Sequence, residues 1–149
     1  MMDHHGSVGS YGARVTTTDD DTNADSGALT VTFRNARTGQ RQEFSMDEFT
    51  GGHLLHLAVA GCVYNDLFRE AIARGITLSH VEVTADGGFD GDPCVSTGIE
   101  YHVHIEGDGS AEQLSDLLAY VERIAEIPSA IQAGGRVRLM SKNVVSTPP

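Results

Sequence analysis

The sequence predicts an α+β protein whose elements follow the order β-β-β-α-β-β-α-β. Three features of the pattern predict this class. Several segments alternate apolar and polar residues, which is the period of a half-buried strand. One long run after a glycine pair is apolar on nearly all sides, and a later segment repeats its apolar residues at helical spacing. The 149 residues suffice for one domain with a core of its own.

The first three elements form a predicted antiparallel meander. Alternation with a period of two places six residues on one side of the first two strands: Ala13, Val15, Thr17, Leu29, Val31 and Phe33. Residues 19–27 are mostly acidic, small or amide residues, which predicts a turn between these strands. Thr38-Gly39 then predicts the turn into a third strand, Arg41–Met46.

A long helix is predicted over residues 53–73, directly after Gly51-Gly52. Its first half, residues 54–63, is apolar almost all round, which is typical of a buried helix. The second half becomes amphipathic and stops at Gly75, a common residue after a helix end. We therefore expect a central helix that starts inside the protein and ends at its surface.

Two further strands follow the long helix. Val81, Val83 and Ala85 mark the first of them, and the glycine-rich residues 87–93 predict a loop. The second strand has the clearest alternation in the chain, with its apolar positions at Ile99, Tyr101, Val103 and Ile105.

A second helix and a final strand complete the predicted order. Ser110 and Gln113 form a capping box. Behind it lies an apolar stripe made of Leu114, Leu117, Leu118, Val121 and Ile124. We expect Pro128 to end or kink this helix, and Val137 and Leu139 to belong to the last strand.

The charge and hydropathy of the chain argue against nucleic acids and membranes as partners. The formal net charge is −11, and the basic residues are scattered, whereas nucleic acids and anionic membranes bind basic faces. No apolar run approaches the roughly 18 residues that span a bilayer. Residues 1–10 lack the apolar core of a signal peptide, so we expect a cytoplasmic protein. We assign one domain to residues 11–145, with tails at 1–10 and 146–149.

Four motifs, taken in this order, resemble those of a known family. The apolar run of the long helix ends in Ala60-Gly61-Cys62, and a Gly75-Ile76 corner follows the helix. A strand like Val81-Glu82-Val83 comes next, and the second helix ends at a proline followed by a small residue. The arrangement resembles the OsmC-like family of osmotically inducible protein C and organic hydroperoxide resistance proteins. The resemblance covers residues 15–145 and is strongest over 54–76.

This resemblance implies an intertwined homodimer in which sheets wrap two buried central helices, with active sites at the subunit interface. It also implies thiol peroxidase chemistry. A thiolate in the first helix attacks an organic hydroperoxide, and a second cysteine, just before the proline of the second helix, resolves the sulfenic acid. In the hydroperoxide-resistance branch, an arginine from the meander and a glutamate at the start of the first helix activate the thiolate.

Only the attacking cysteine of that apparatus is matched, by Cys62. Ile127 stands where the resolving cysteine is expected, Gly52 stands at the glutamate position, and residues 19–25 contain no arginine. The resemblance therefore implies a one-cysteine hydroperoxide reductase that needs an external thiol or redoxin and no cofactor, with His53 as a substitute polar group. The alternative is an inactive dimer of the same fold that binds a small apolar molecule.

The surroundings of Cys62 leave two interpretations open. A free cysteine has a pKa of about 8.5, which cations lower and apolar neighbours raise. Cys62 shares a helical face with apolar residues and with Asp66, which we expect to pair with Arg69. Arg69 itself lies two turns on, which we expect to be too far to act directly. Cys62 is therefore either an inert packing thiol or the reactive one.

The histidines and the second cysteine allow further hypotheses. His53 and His56, three residues apart on a helix, could bind a metal together with Cys62, or form hydrogen bonds at the helix end. A strand pair, His102 and His104, is expected on a solvated face with glutamates, with metal binding as its alternative. Cys94 could resolve a sulfenate at Cys62 only if their Cα atoms lie within about 7 Å, and is otherwise incidental.

Overall fold

The computed structural model describes residues 12–17, 29–34, 38–46 and 51–145. Within these ranges the α+β class is confirmed, as is the predicted order of the first seven elements. The strands are β1 (Gly12–Thr17), β2 (Leu29–Arg34), β3 (Arg41–Met46), β4 (Leu78–Asp90) and β5 (Val95–Gly107). The helices are α1 (Gly51–Ala73), α2 (Ala111–Ile124) and α3 (Glu126–Gln132). None of the helices in these ranges is both long and apolar enough to cross a membrane.

The chain forms two compact units, Met1–Gly51 and Gly52–Pro149. The first contains the predicted meander, an antiparallel sheet in the order β1-β2-β3. Its register places Val31 opposite both Val15 and Phe44, and the rings of Phe33 and Phe44 lie 5.7 Å apart between centroids. The predicted tail at residues 1–10 and the acidic turn at residues 19–27 lie outside the described residues.

The second unit builds its core from two helices on one face of the β4–β5 hairpin. Alternation along both strands places one set of side chains towards the helices, and these are partly buried: Val81, Val83, Tyr101, Val103 and Ile105. The buried residues come from α1, from the corner after it, and from α2 with its C-cap residue: Val63, Leu67, Ala71, Ile76, Leu117, Val121 and Ala125. The apolar faces predicted for the two helices and the two strands thus pack together in one core.

In the single chain, the two halves of α1 are buried in the opposite order to the one that the sequence predicts. The amphipathic second half packs into the core, where Leu67 has no exposed surface. The apolar first half is less covered, since Leu57 is 63% exposed. The reason is geometric: this chain covers one side of the helix, whereas residues 54–63 are apolar on nearly every side. The predicted stop is confirmed, because Gly75 has φ +67° and the Ile76 amide donates to the Ala71 carbonyl.

The hairpin turn is shorter than predicted. Pairing continues through Gly87, opposite Ile99, and through Gly88, opposite Gly98, to Asp90, so only four residues separate the strands. Glycine clusters predict loops because they accept unusual backbone angles. Gly87 instead lies in a paired strand, where the lack of a side chain allows His56 and the Gly98 carbonyl to pack closely against it.

The predicted capping box of α2 is confirmed, because Ser110 and Gln113 exchange side-chain-to-backbone hydrogen bonds of 2.8 and 3.1 Å. The helical path breaks at Ala125, and Pro128 lies in the first turn of α3, where a missing amide proton costs no hydrogen bond. The final strand expected around Val137 and Leu139 is not formed in this chain. Residues 135–145 have no regular structure, because a strand needs a neighbour and the alternating pattern supplies none.

Candidate functional site

Cys62 lies near the middle of α1, on the edge of the core. Its side chain is half-buried and packs against the core cluster that contains Leu67 and Leu117. The preceding turn contributes Val59, and the next residue is Val63, both 2% exposed. The thiol forms no disulfide. One side of it packs against apolar side chains, and the rest is partly accessible to solvent.

An ion pair lies one helical turn after Cys62. The Arg69 Nη1 atom is 2.9 Å from Asp66 Oδ1, which confirms the pairing expected from the sequence. The Asp66 side chain is 8% exposed, while that of Arg69 is 60% exposed. The pair therefore joins a buried carboxylate to a guanidinium that solvent can reach.

A second buried carboxylate follows in the next turn. Glu70 Oε1 lies 3.3 Å from Arg69 Nε, and Glu70 Oε2 lies 3.1 Å from Arg74 Nη1. The Arg74 guanidinium also stacks over the Tyr120 ring, 4.5 Å from its centroid. This contact ties the end of α1 to α2.

The environment of Asp66 makes its carboxyl harder to ionise than that of an exposed aspartate. Burial raises the pKa of the Asp66 carboxyl above its ordinary value of 3.8, and the nearby charges of Glu126 and Glu70 act in the same direction. The charge of Arg69 opposes this rise without cancelling it. Asp66 is thus a buried acid with a raised pKa, one turn from the candidate nucleophile.

The two histidines near the start of α1 have different environments. His56 is half-buried, and its Nδ1 atom lies 2.5 Å from the Gly52 carbonyl oxygen, one of the hydrogen bonds expected at a helix end. Its Nε2 atom is buried and has no hydrogen-bond partner among the residues that the structure describes. His53 is exposed and lies nine residues before Cys62, about 13 Å along the axis and on the opposite side of the helix. Within one chain the helix does not bring His53 to the thiol.

The polar face of the β4–β5 hairpin holds the other predicted histidine pair. His102 and His104 are exposed, and His104 Nε2 lies 3.0 Å from Glu106 Oε1. This hydrogen bond is the main cause that lowers the pKa of the Glu106 carboxyl. Across the described ranges, no group of three or more His, Cys, Asp or Glu side chains is arranged to hold a metal ion. The exposure of His102, His104 and Glu106 agrees with the solvated face expected from the sequence.

Neither Ile127 nor Cys94 forms a disulfide with Cys62. Ile127 is 38% exposed in the first turn of α3 and supplies no thiol. Cys94 is exposed in the turn at the tip of the hairpin, and it too is free. The described residues therefore hold no disulfide.

The structure adds a groove that the sequence did not predict. It has a volume of about 660 Å³ and opens between α2, β5 and α1. Its residues are Val63, Ile99, Glu100, Tyr101, Val103, Ser115, Leu118, Ala119, Val121 and Glu122. Burial and the charge of Glu122 raise the pKa of the Tyr101 phenol. Three elements contribute these residues, so no local pattern could have predicted the groove.

Comparison with known proteins identifies the family. No curated protein sequence matches the chain significantly. Among solved structures, an OsmC-like protein from Mycoplasma pneumoniae is similar with a TM-score of 0.58 and 14% identity, over 84% of this chain and 89% of that one. A protein from Legionella pneumophila, described as an organic hydroperoxide resistance protein OsmC, is similar with a TM-score of 0.56 and 14% sequence identity. This similarity covers 86% of this chain and 93% of that one.

An OsmC-like protein of unknown function from Vibrio cholerae gives a TM-score of 0.52 at 12% identity, over 81% of this chain and 92% of that one. Similarities at this level of identity establish the fold alone. The sequence model for OsmC-like proteins matches residues 44–140, which is more than half of the chain. The fold and the sequence thus agree, and the chain belongs to the OsmC-like family.

Proposed function

We propose that this chain reduces organic hydroperoxides with a single cysteine, Cys62, and an external thiol. The observation that carries the proposal is the position of Cys62 in an OsmC-like chain. The resemblance to the family implies that Cys62 corresponds to the attacking cysteine, and in the structure Cys62 lies on the long helix and is half-buried rather than sealed into the core. A thiol kept only for packing has no need of solvent access.

The proposed reaction has two stages. The Cys62 thiolate attacks the terminal oxygen of the hydroperoxide, the O–O bond breaks, and the departing alkoxide takes a proton from water. Sulfur is oxidised to sulfenic acid and the peroxide is reduced to an alcohol. Since Ile127 supplies no second thiol, a small thiol or a redoxin then forms a mixed disulfide with Cys62, and a second external thiol releases the cysteine. Such reductants fit a cytoplasmic location, which we include in the proposal.

We also propose that the functional unit is an intertwined homodimer. The outer edges of β4 and β5, 13 residues each, pair with no other strand among the described residues, and bare edges of that length invite a partner strand. Leu57 on α1 is 63% exposed, and Val137 and Leu139 are 97% and 80% exposed. A second copy that covered these surfaces would account for the strand pattern of residues 136–140. His53, remote from Cys62 in its own chain, would then act across the interface.

The test is to trap sulfenic acid. Native protein is treated with cumene hydroperoxide in the presence of a sulfenate-specific reagent, digested and analysed by mass spectrometry. We expect an adduct at Cys62 and thiol-dependent peroxide consumption that Cys62→Ser abolishes. Cys94→Ser is the matched control and should leave both readouts unchanged. Equal peroxide consumption by the wild type and Cys62→Ser would end the enzymatic proposal.

The groove gives one specific reason to retain binding as a second candidate function. Its volume of about 660 Å³ lies in the range of ligand pockets, and its walls combine apolar side chains with the polar groups of Glu100, Tyr101, Ser115 and Glu122. Under this alternative the chain binds a small apolar molecule without chemistry. A thermal shift with apolar probes, lost in Leu118→Glu but kept in Cys62→Ser, would support it.

A further inference from the structure

We propose that the groove between α1, β5 and α2 binds a cationic amphiphile, a small molecule with an apolar body and an ammonium group. Glu122, Glu100 and the ring of Tyr101 would receive the positive charge, and the apolar walls would receive the body. The inference rests on the second candidate function, binding in this groove, and names the class of ligand. It does not depend on the chemistry proposed for Cys62.

The walls of the groove provide an apolar surface that the core holds in place. Val63 and Val121 line the groove and are 2% and 1% exposed, so packing inside the second unit sets their positions. Leu118 on α2 and Val103 on β5 pack against the same core and are only partly buried. These partly exposed side chains offer a surface that the apolar body of a ligand can cover, which the hydrophobic effect favours.

The charged residues of the groove are all acidic. Two carboxylates, Glu100 and Glu122, line it, and its lining includes no Lys, Arg or His. The arginine next in sequence, Arg123, has its guanidinium 5.3 Å from the centroid of the Tyr120 ring, and Tyr120 does not line the groove. Within the described part of the chain, neither carboxylate forms an ion pair. Both are therefore available to a cation from outside the chain.

The Tyr101 phenol reports the sign of the charge inside the groove. Burial raises the pKa of this phenol, and the negative charge of Glu122 raises it further. The charge of Glu122 therefore reaches the half-buried Tyr101 ring and opposes a second negative charge beside it. The neutral ring offers its face to an ammonium group, which aromatic faces attract.

A cation suits this groove better than a neutral or an anionic molecule does. A neutral apolar molecule displaces water from the carboxylates and supplies no hydrogen bonds in return. An anion is repelled by Glu100 and Glu122. An ammonium group avoids both penalties, because it donates hydrogen bonds to a carboxylate and carries the opposite charge.

The experiment compares three probes that share one apolar body and differ in charge: phenylbutylamine, phenylbutanol and phenylbutyrate. Each is titrated near neutral pH and at low salt into the isotope-labelled full chain. The shifts of the backbone amide signals of Tyr101 and Ala119 give the dissociation constant and locate the probe in the groove.

The variants are Glu122→Gln, Glu100→Gln and the two combined, with Asp116→Asn as the matched control. Asp116 is an exposed carboxylate of the same helix as Glu122, but it does not line the groove. It shares a helical face with Tyr120, four residues on. Asp116→Asn therefore changes the net charge as Glu122→Gln does and leaves the groove carboxylates in place. A urea unfolding curve for each variant shows that the fold is kept.

We expect phenylbutylamine to bind about three- to tenfold more tightly than phenylbutanol, and phenylbutyrate to bind most weakly. Glu122→Gln should bring the affinity for the amine close to that for the alcohol, and Asp116→Asn should match the wild type. Added salt should reduce the preference, because salt screens exposed charges.

Equal binding of the three probes, or a preference that survives in the double variant, would overturn the inference. Binding of phenylbutanol at the groove amides would then still support the second candidate function. If none of the probes shifts these amides, the second candidate function and the inference both fail. The two failures are thus distinguishable.

Discussion

The Nε2 atom of His56 occupies the space that a side chain on Gly87 would need. A Cβ atom built on Gly87 would lie 2.6 Å from this nitrogen, and it would also meet the backbone carbonyl of Gly98 across the hairpin. The start of α1 and the distal half of the β4–β5 hairpin are in contact at this point. His56 and Gly87 both belong to the second unit.

Gly87→Ala is therefore expected to destabilise the protein. The added methyl group must displace backbone as well as the His56 ring, and overpacking of this kind costs about 1–3 kcal/mol. Gly88→Ala is the matched control, since a Cβ atom there meets only the Thr97 hydroxyl at 3.5 Å. Urea unfolding at one protein concentration measures both. A double variant with His56→Ala should recover only part of the loss, because the Gly98 carbonyl remains.

Substitutions of two leucines on α1 test the stability of the fold and the proposed dimer separately. Leu67 has no exposed surface, so Leu67→Ala should lower the free energy of unfolding by about 2–5 kcal/mol. Leu57 is 63% exposed in a single chain, so Leu57→Ala should change the stability of an isolated chain little. If Leu57 is covered in the proposed dimer, this variant should instead raise the dissociation constant. Analytical ultracentrifugation over a range of concentrations distinguishes the two effects.

The proposed dimer predicts the mass of the native protein. Light scattering at micromolar concentration should give about twice the chain mass of 15.9 kDa. Val137→Ser and Leu139→Ser together should shift the mass towards that of a single chain, because both side chains are almost fully exposed until a second copy covers them. A cooperative fold with a mass near 16 kDa for the unmodified chain would contradict the dimer proposal.

Asp66 makes stability depend on pH in a direction that can be worked out. Its pKa is raised in the folded chain above the ordinary value of 3.8, so the native state holds the proton more tightly than the unfolded state does. The contribution of Asp66 to the free energy of unfolding therefore rises as the pH falls through the raised pKa, and it declines as the pH rises. Other groups titrate as well, so the quantity to measure is a difference between two proteins.

Wild-type protein and Asp66→Asn should be compared by urea unfolding from about pH 7 to about pH 4. The variant cannot titrate at this position. We expect the wild type to gain stability relative to Asp66→Asn as the pH falls. A difference that is constant, or that changes in favour of the variant, would show that burial does not dominate the environment of this carboxyl. Glu70→Gln serves as a comparison at the next turn, where the acid is paired with Arg74.

Much of the fold follows from the sequence because its patterns are local. Alternation predicted the meander and the apolar faces of β4 and β5, and the Ser110–Gln113 capping box marked the start of α2. The candidate site was predicted less completely. Cys62 and the Asp66–Arg69 pair could be named because all three lie on one helix at helical spacing. The groove beside Val63 could not, since its residues come from α1, β5 and α2.

The sequence by itself determined the order of the elements from β1 to α2, which of their faces are apolar, and which cysteine lies on the long helix. Periodicity and capping act between residues a few positions apart, so they can be read along the chain. Only the tertiary structure decided which half of α1 is covered, that His56 fills the space at Gly87, and that Arg69 turns back to Asp66. These features depend on distances between side chains and on elements that are remote in sequence, and no local pattern encodes them.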